Sequence, residues 1–169
     1  MTPEQGDHRC GGGQVPDSVI SSWKTAVGGH IICQIELYTV VLIRHQLAEW
    51  LNNRRSLFFI DNDAARFAII KGRSPSESMC ILAHLFHELD ETAPTYWRIA
   101  RVPSFSNPAD APSRGKGQEA SSEYGAVWMG DLEHPAELLA RIRCCEGWSL
   151  IEEGEVDELA PEPLAQPSA

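Results

Sequence analysis

Between Ser56 and Val102 the chain spells a strand, two helices and a second strand, an order that few folds accept. SLFFI (56–60) is a continuous apolar run of strand length, and TYWRIARV (95–102) reads as a second strand. Between them, one helical pattern runs from about Ala64 to Lys71 and stops at Gly72. SPSE then opens another as a capping box, with Ser74 at N-cap, Pro75 at N1 and Glu77 at N3. In that second helix Met79, Leu82, Leu85, Phe86 and Leu89 are expected to face inward, and His84, His87, Glu88 and Glu91 to face mostly water. Strands joined through helices pair in parallel by a right-handed crossover, so the fold class is α/β. A run as uniformly apolar as SLFFI is expected to be a buried central strand.

Upstream, IIC (31–33) is a short β-rich run that leads into a helix. Ile35, Tyr38, Leu42, Ile43, Leu47 and Leu51 recur there at three- and four-residue steps. The expected order is thus β-α-β-α-α-β. Residues 1–18, with GGG and two prolines, read as a loop or disordered N-terminus. Residues 115–126 read as a linker, 127–151 as a short helical extension with Pro135 in its first turn, and 152–169 as an acidic disordered tail.

The formal net charge of −10 argues against a nucleic-acid partner until its distribution is considered. From Ile20 to Arg114 ten Lys or Arg face nine Asp or Glu, whereas the segment from Glu152 onward has six carboxylates and no base. No apolar run approaches the ~18 residues of a membrane span, and MTPEQGDHRCGGG lacks the apolar core of a secretory signal, so an intracellular protein is expected. The five cysteines (Cys10, Cys33, Cys80, Cys144 and Cys145) form no C-x-x-C pair and read as reduced thiols.

Asp61 stands immediately after SLFFI, and ligands of open α/β sheets gather at the carboxyl ends of parallel strands. Glu36 follows the IIC run in the first turn of the first helix, and Asp110 lies in SNPADAPSR just past the second strand. Three converging carboxylates repel one another unless a cation or raised pKa values relieve them. Oxygen ligands of this kind suit Mg2+ or Mn2+, and paired ions support phosphoryl displacement. Each acid also has a plain structural role open to it. Asp61 could cap the next helix, although Asn62 and Asp63 already offer that role; Glu36 could answer the helix dipole; Asp110 could be N3 of a capping box that starts at Asn107.

Glu36 within QIELYTVVLIRHQL, Asp61 within LFFIDNDAA and Asp110 within VPSFSNPADAPSR resemble the second, third and fourth acidic motifs of the ribonuclease H domain of retroelement reverse transcriptases. Asn107, Ala109, Asp110, Ser113 and Arg114 match a last motif of the form N-x-x-A-D-x-x-S-R. The resemblance spans about residues 15–114, and residues 19–114 are assigned to a partial domain of this kind. It implies a mixed sheet flanked by helices, two divalent metals (Mg2+ or Mn2+) held by four acids, and cleavage of the RNA strand of an RNA–DNA hybrid. Glu36, Asp61 and Asp110 become the expected catalytic and metal-binding residues, and Asn62, Arg66, Ser104, Asn107 and Arg114 the expected substrate contacts. The first acid has no counterpart: Asp7 lacks a strand context and Asp17 is too near Glu36. Most of the opening hairpin is therefore expected to be missing, as in an N-terminally truncated domain. Hydrolysis is expected to be impaired, with the missing strands supplied by an upstream polyprotein segment. Pro103, Ser104 and Phe105 stand where the family often has a histidine. The alternative is a catalytically inactive nucleic-acid-binding or protein-interaction module on the same fold.

Cys80, His84 and His87 share a helix face at i, i+4 and i+7, but with no fourth ligand in view they read as a solvated face rather than a metal site. Scattered arginines, among them Arg54, Arg55, Arg98 and Arg101, read as surface. Trp23, Trp50 and Trp97 read as core.

Overall fold

The computed structural model describes residues 8–27 and 30–144. In chain order the elements are β1 (Arg9–Gly12), α1 (Asp17–Val27), α2 (Ile32–Gln46), α3 (Ala48–Leu51), β2 (Arg55–Ile60), α4 (Asp63–Lys71), α5 (Glu77–Thr92), β3 (Tyr96–Arg101), a 3-10 turn (Ser104–Ser106), α6 (Asp110–Ser113), α7 (Gly117–Tyr124), β4 (Val127–Asp131) and α8 (Ala136–Cys144). The α/β class holds. The strands do not form one mixed sheet: among the described residues β2 pairs in parallel with β3, from Arg55 opposite Tyr96 to Ile60 opposite Arg101, and β1 pairs in parallel with β4 in a separate sheet.

Local chemistry explains the α4 boundaries. Asn62 takes the N-cap, its Oδ1 accepting from the Ala65 N–H at 3.0 Å, and Gly72 closes the helix at φ 64°, a left-handed conformation that only glycine adopts without strain. The start of α5 lies later than the capping box suggests, with Ser76 at N-cap. Ser74 instead accepts the Ser76 N–H at its hydroxyl, 3.2 Å away, so SPSE forms a turn ahead of the helix.

Two strand expectations change. IIC is not a strand: Ile31 is the N-cap of α2 and Ile32 its first residue. The buried positions Ile31, Gln34, Leu37, Tyr38, Val41 and Leu42 show that the helical period already runs through this segment, and that period outweighs three β-prone residues. SLFFI is a strand but not a buried one, since Leu57 and Phe59 are exposed on the face away from the helices. Sequence also missed α1, β1 and β4, and the segment assigned to a linker, 115–126, contains α7. Gly117 of α7 lies so close to the Trp128 ring that a Cβ there would stand 2.2 Å from it, which accounts for glycine at that position. The helix foreseen after Pro135 is α8. Residues 1–7 and the tail assigned to 152–169 lie outside the described residues.

A single apolar cluster joins the helices. Leu37, Tyr38, Val41 and Leu42 of α2 meet Met79, Leu82, Leu85 and Phe86 of α5 and Ala65, Ala68 and Ile69 of α4, while Val19 and Trp23 of α1 meet Leu138 and Ile142 of α8. Trp23 is core as expected. Trp97 is half-buried, and Trp50 is exposed with the Arg54 guanidinium over its ring, so it is not core. His134 ties the β1–β4 pair to this body. Its Nδ1 accepts from the Tyr38 hydroxyl at 2.7 Å and its Nε2 donates to the Gln14 carbonyl at 3.1 Å, which requires the Nε2–H tautomer. Burial pushes the Tyr38 hydroxyl pKa up to about 12, so the group is a phenol at physiological pH. No helix among the described residues is long and apolar enough to cross a membrane.

Candidate carboxylate site at the end of β2

Asp61 directly follows Ile60, the last residue of β2, and leads into α4. Asn62 supplies the α4 cap, and Asp63 binds Arg66 at 2.9 Å and Arg101 at 3.5 Å. The helix start therefore makes no use of Asp61, which has neither a hydrogen bond nor an ion pair among the described residues.

Glu36 approaches from α2. Because that helix begins at Ile32, Glu36 sits in the second turn, and the expected first-turn interaction with the helix dipole does not apply. Its Oε2 atom is buried and has no hydrogen-bond partner among the described residues. Burial pushes the Glu36 carboxyl above the usual glutamate range, the Asp61 charge raises it further, and the Asn62 side chain opposes both. Asn62 also donates to the Cys33 sulfur at 3.3 Å, and so ties the start of α2 to the end of β2. Two carboxylates from different elements thus lie near enough for the charge of one to raise the pKa of the other, and Glu36 has an unsatisfied buried oxygen. Such a pair can share a proton or hold a hard cation.

Asp110 does not join them. It opens the four-residue α6, and Arg114 Nε donates to its Oδ1 at 3.1 Å and lies 3.0 Å from its Oδ2. Asn107 is not the N-cap of a capping box; its side chain accepts the Ala109 N–H at 3.1 Å. Ser113 donates to the Asp110 carbonyl at 2.8 Å. The polar members of N-x-x-A-D-x-x-S-R therefore satisfy one another within one turn region. Among the described residues no group of three or more His, Cys, Asp or Glu side chains is placed to hold a metal ion.

The expected substrate contacts are likewise engaged. Arg66 bonds Asp63 and lies over the Phe67 ring, Arg114 is held by Asp110, and Ser104 lies in the 3-10 turn, its carbonyl accepting the Asn107 N–H. Cys80, His84 and His87 turn to separate partners: Cys80 to Ser74, His84 to Glu88 and His87 to the Ile69 carbonyl.

The Glu36–Asp61 repulsion sets a pH dependence. A carboxyl whose folded pKa is raised binds more protons folded than unfolded, so its contribution to stability falls as pH climbs from the unfolded value, about 4.3, through the folded one. In EDTA, Glu36→Gln is expected to melt higher than the parent at pH 7, with the gain vanishing near pH 4 because the parent carboxyl is then protonated in both states. A gain independent of pH would show that Glu36 titrates normally.

No family model matches the chain, and no curated protein or solved structure matches it.

Proposed function

We propose that this chain is a ribonuclease H-like domain of retroelement origin in which Glu36 and Asp61 form a residual divalent-cation site and hydrolysis of the RNA strand of RNA–DNA hybrids is impaired. The observation that carries this reading is the unpartnered, buried Oε2 of Glu36 beside Asp61, at the carboxyl end of a strand in a parallel pair. Oxygen donors of this kind fit Mg2+ or Mn2+, which would supply activation of water and stabilisation of charge on phosphate. The chain's own contribution would be to fix the two carboxylates: β2 and the α4 cap hold Asp61, and α2 holds Glu36 in a partly desolvated position.

The second reading, an inactive module that binds nucleic acid or a protein without cutting, is favoured by a specific observation. Asp110 is occupied by Arg114, and a cation held by two carboxylates is weakly bound and poorly placed for chemistry.

A fluorescently labelled RNA–DNA hybrid incubated with the full chain in Mn2+ tests both. Slow RNA cleavage that Asp61→Asn abolishes is the expected result. Hybrid binding without cleavage would select the second reading, and neither binding nor cleavage would remove both.

A further inference from the structure

Among the described residues the parallel pair β2–β3 is covered by helices on one face only. Ile60 belongs to the core and Phe58, Trp97 and Ile99 pack against it, with Phe58 and Trp97 edge-on to Phe86 of α5. The opposite face is open and carries three cross-strand pairs in succession: Arg55 beside Tyr96, Leu57 beside Arg98, and Phe59 beside Ala100. Tyr96 is 70% exposed, Phe59 59% and Leu57 52%. Arg55 and Arg98 are also exposed, and among the described residues neither has an ion-pair partner. The uncovered side of this two-stranded sheet thus carries three exposed apolar residues interleaved with two arginines that have no ion-pair partner among the described residues.

We infer that this open face binds single-stranded nucleic acid. Exposed rings on a sheet offer flat surfaces for unpaired bases, and arginines beside them meet the phosphates. With a rise of about 3.3 Å per residue and strands about 4.8 Å apart, Phe59 and Tyr96 stand roughly 14 Å apart on a diagonal. Arg98 lies between them, where it can reach the backbone linking two stacked bases. Charge favours a polyanion here, and the exposed rings favour one that offers unpaired bases. A second copy of the chain would cover the rings but offers no carboxylate from this face to Arg55 and Arg98. A duplex would meet the arginines but keeps its base faces stacked inside, leaving Phe59 and Tyr96 uncovered. The chain's net negative charge does not oppose the assignment, since residues 20–114 carry ten basic against nine acidic side chains. The inference does not rest on the Glu36–Asp61 pair.

Fluorescence anisotropy on the full chain tests it, with labelled oligothymidylate and oligouridylate of about 12 nucleotides, at about 50 mM salt. EDTA is present throughout, so that failure here cannot be confused with failure of the carboxylate site. Binding with a micromolar Kd is expected. Phe59→Leu and Tyr96→Leu keep the apolar area while removing the ring, and each is expected to weaken binding about tenfold with the melting temperature preserved. Arg98→Gln is expected to lower the slope of log affinity against log salt by about one. Absence of binding at about 100 μM protein, or binding indifferent to both ring substitutions, would overturn the inference. So would a concentration-dependent dimer that Phe59→Asp dissolves, because the face would then belong to a second copy.

Discussion

Asp90→Ala is expected to destabilise the protein by about 3 kcal/mol, the low end for breaking a buried ion pair because Asp90 itself is a third exposed. Its partner Arg44 is 1% exposed on α2, where its guanidinium donates to the Phe86 carbonyl and to Asp90 and lies 4.3 Å from the centre of the Phe86 ring. Burial lowers the Arg44 pKa and the Asp90 charge pulls it back, so the pair answers a desolvation cost that one member alone cannot meet. Asp90 also accepts the Trp97 indole N–H at 2.9 Å, and it thereby links α2 and α5 to β3. At roughly 3 °C per kcal/mol for a domain of this size, the loss is about 10 °C in Tm. Arg44→Met should cost clearly less, because the charge leaves with the side chain and Asp90 keeps Trp97. Thermal melts of both variants check the order. An Asp90→Ala protein within 1 °C of the parent would mean that Arg44 finds water.

Phe86→Ala is expected to cost about 4 kcal/mol through lost transfer energy and the cavity left behind. The Phe86 ring is fully buried, with Phe58 at 5.8 Å, Trp97 at 5.4 Å and His87 at 5.7 Å between ring centres. The residue joins the sheet to the helices, so its loss loosens the position of β2 as well as the core. Because Arg44 rests on the same ring, Phe86→Leu and Arg44→Met are expected to be non-additive, with a coupling of at least 0.5 kcal/mol. Urea melts of the two single variants and the double variant measure it, and strict additivity would contradict the contact.

Sequence revealed the parts of this fold whose signals are local and chemical. Asn62 and Gly72 bracket α4 because a cap oxygen and a left-handed turn have few substitutes, and TYWRIARV marks β3 because aromatic and β-branched residues crowd a short run. The elements it hid lack such signals. β1 is RCGG, a strand without β-propensity that is formed only by pairing with β4. α7 is polar along most of its length and packs through small residues, Gly117, Ala120 and Ser121. Val15, Val19 and Trp23 recur at four-residue steps across Pro16 and could have indicated α1.

The candidate site was legible in the same uneven way. A carboxylate at the end of an apolar run is visible in one dimension, and Asp61 is where that pattern puts it. Glu36 was named beside Asp61 only through the resemblance and an IIC strand that does not form, since its approach depends on how α2 lies against α4. Asp110 misled because a motif records residue types and not what they bond, and here Arg114 lies one helical turn away on the same short segment. The exposed side of β2 was equally hidden, since an unbroken apolar run does not say which face the helices will cover.

The carboxylate pair is tested most directly by melting the full chain and its Asp61→Asn variant across millimolar Mg2+ and Mn2+. At a cation concentration ten times Kd, mass action should stabilise the parent by about 1.4 kcal/mol, or several degrees, while Asp61→Asn melts slightly above the metal-free parent and does not respond. Parent curves that superimpose with and without metal, or an Asp61→Asn protein that responds as the parent does, would contradict a cation site at Glu36 and Asp61.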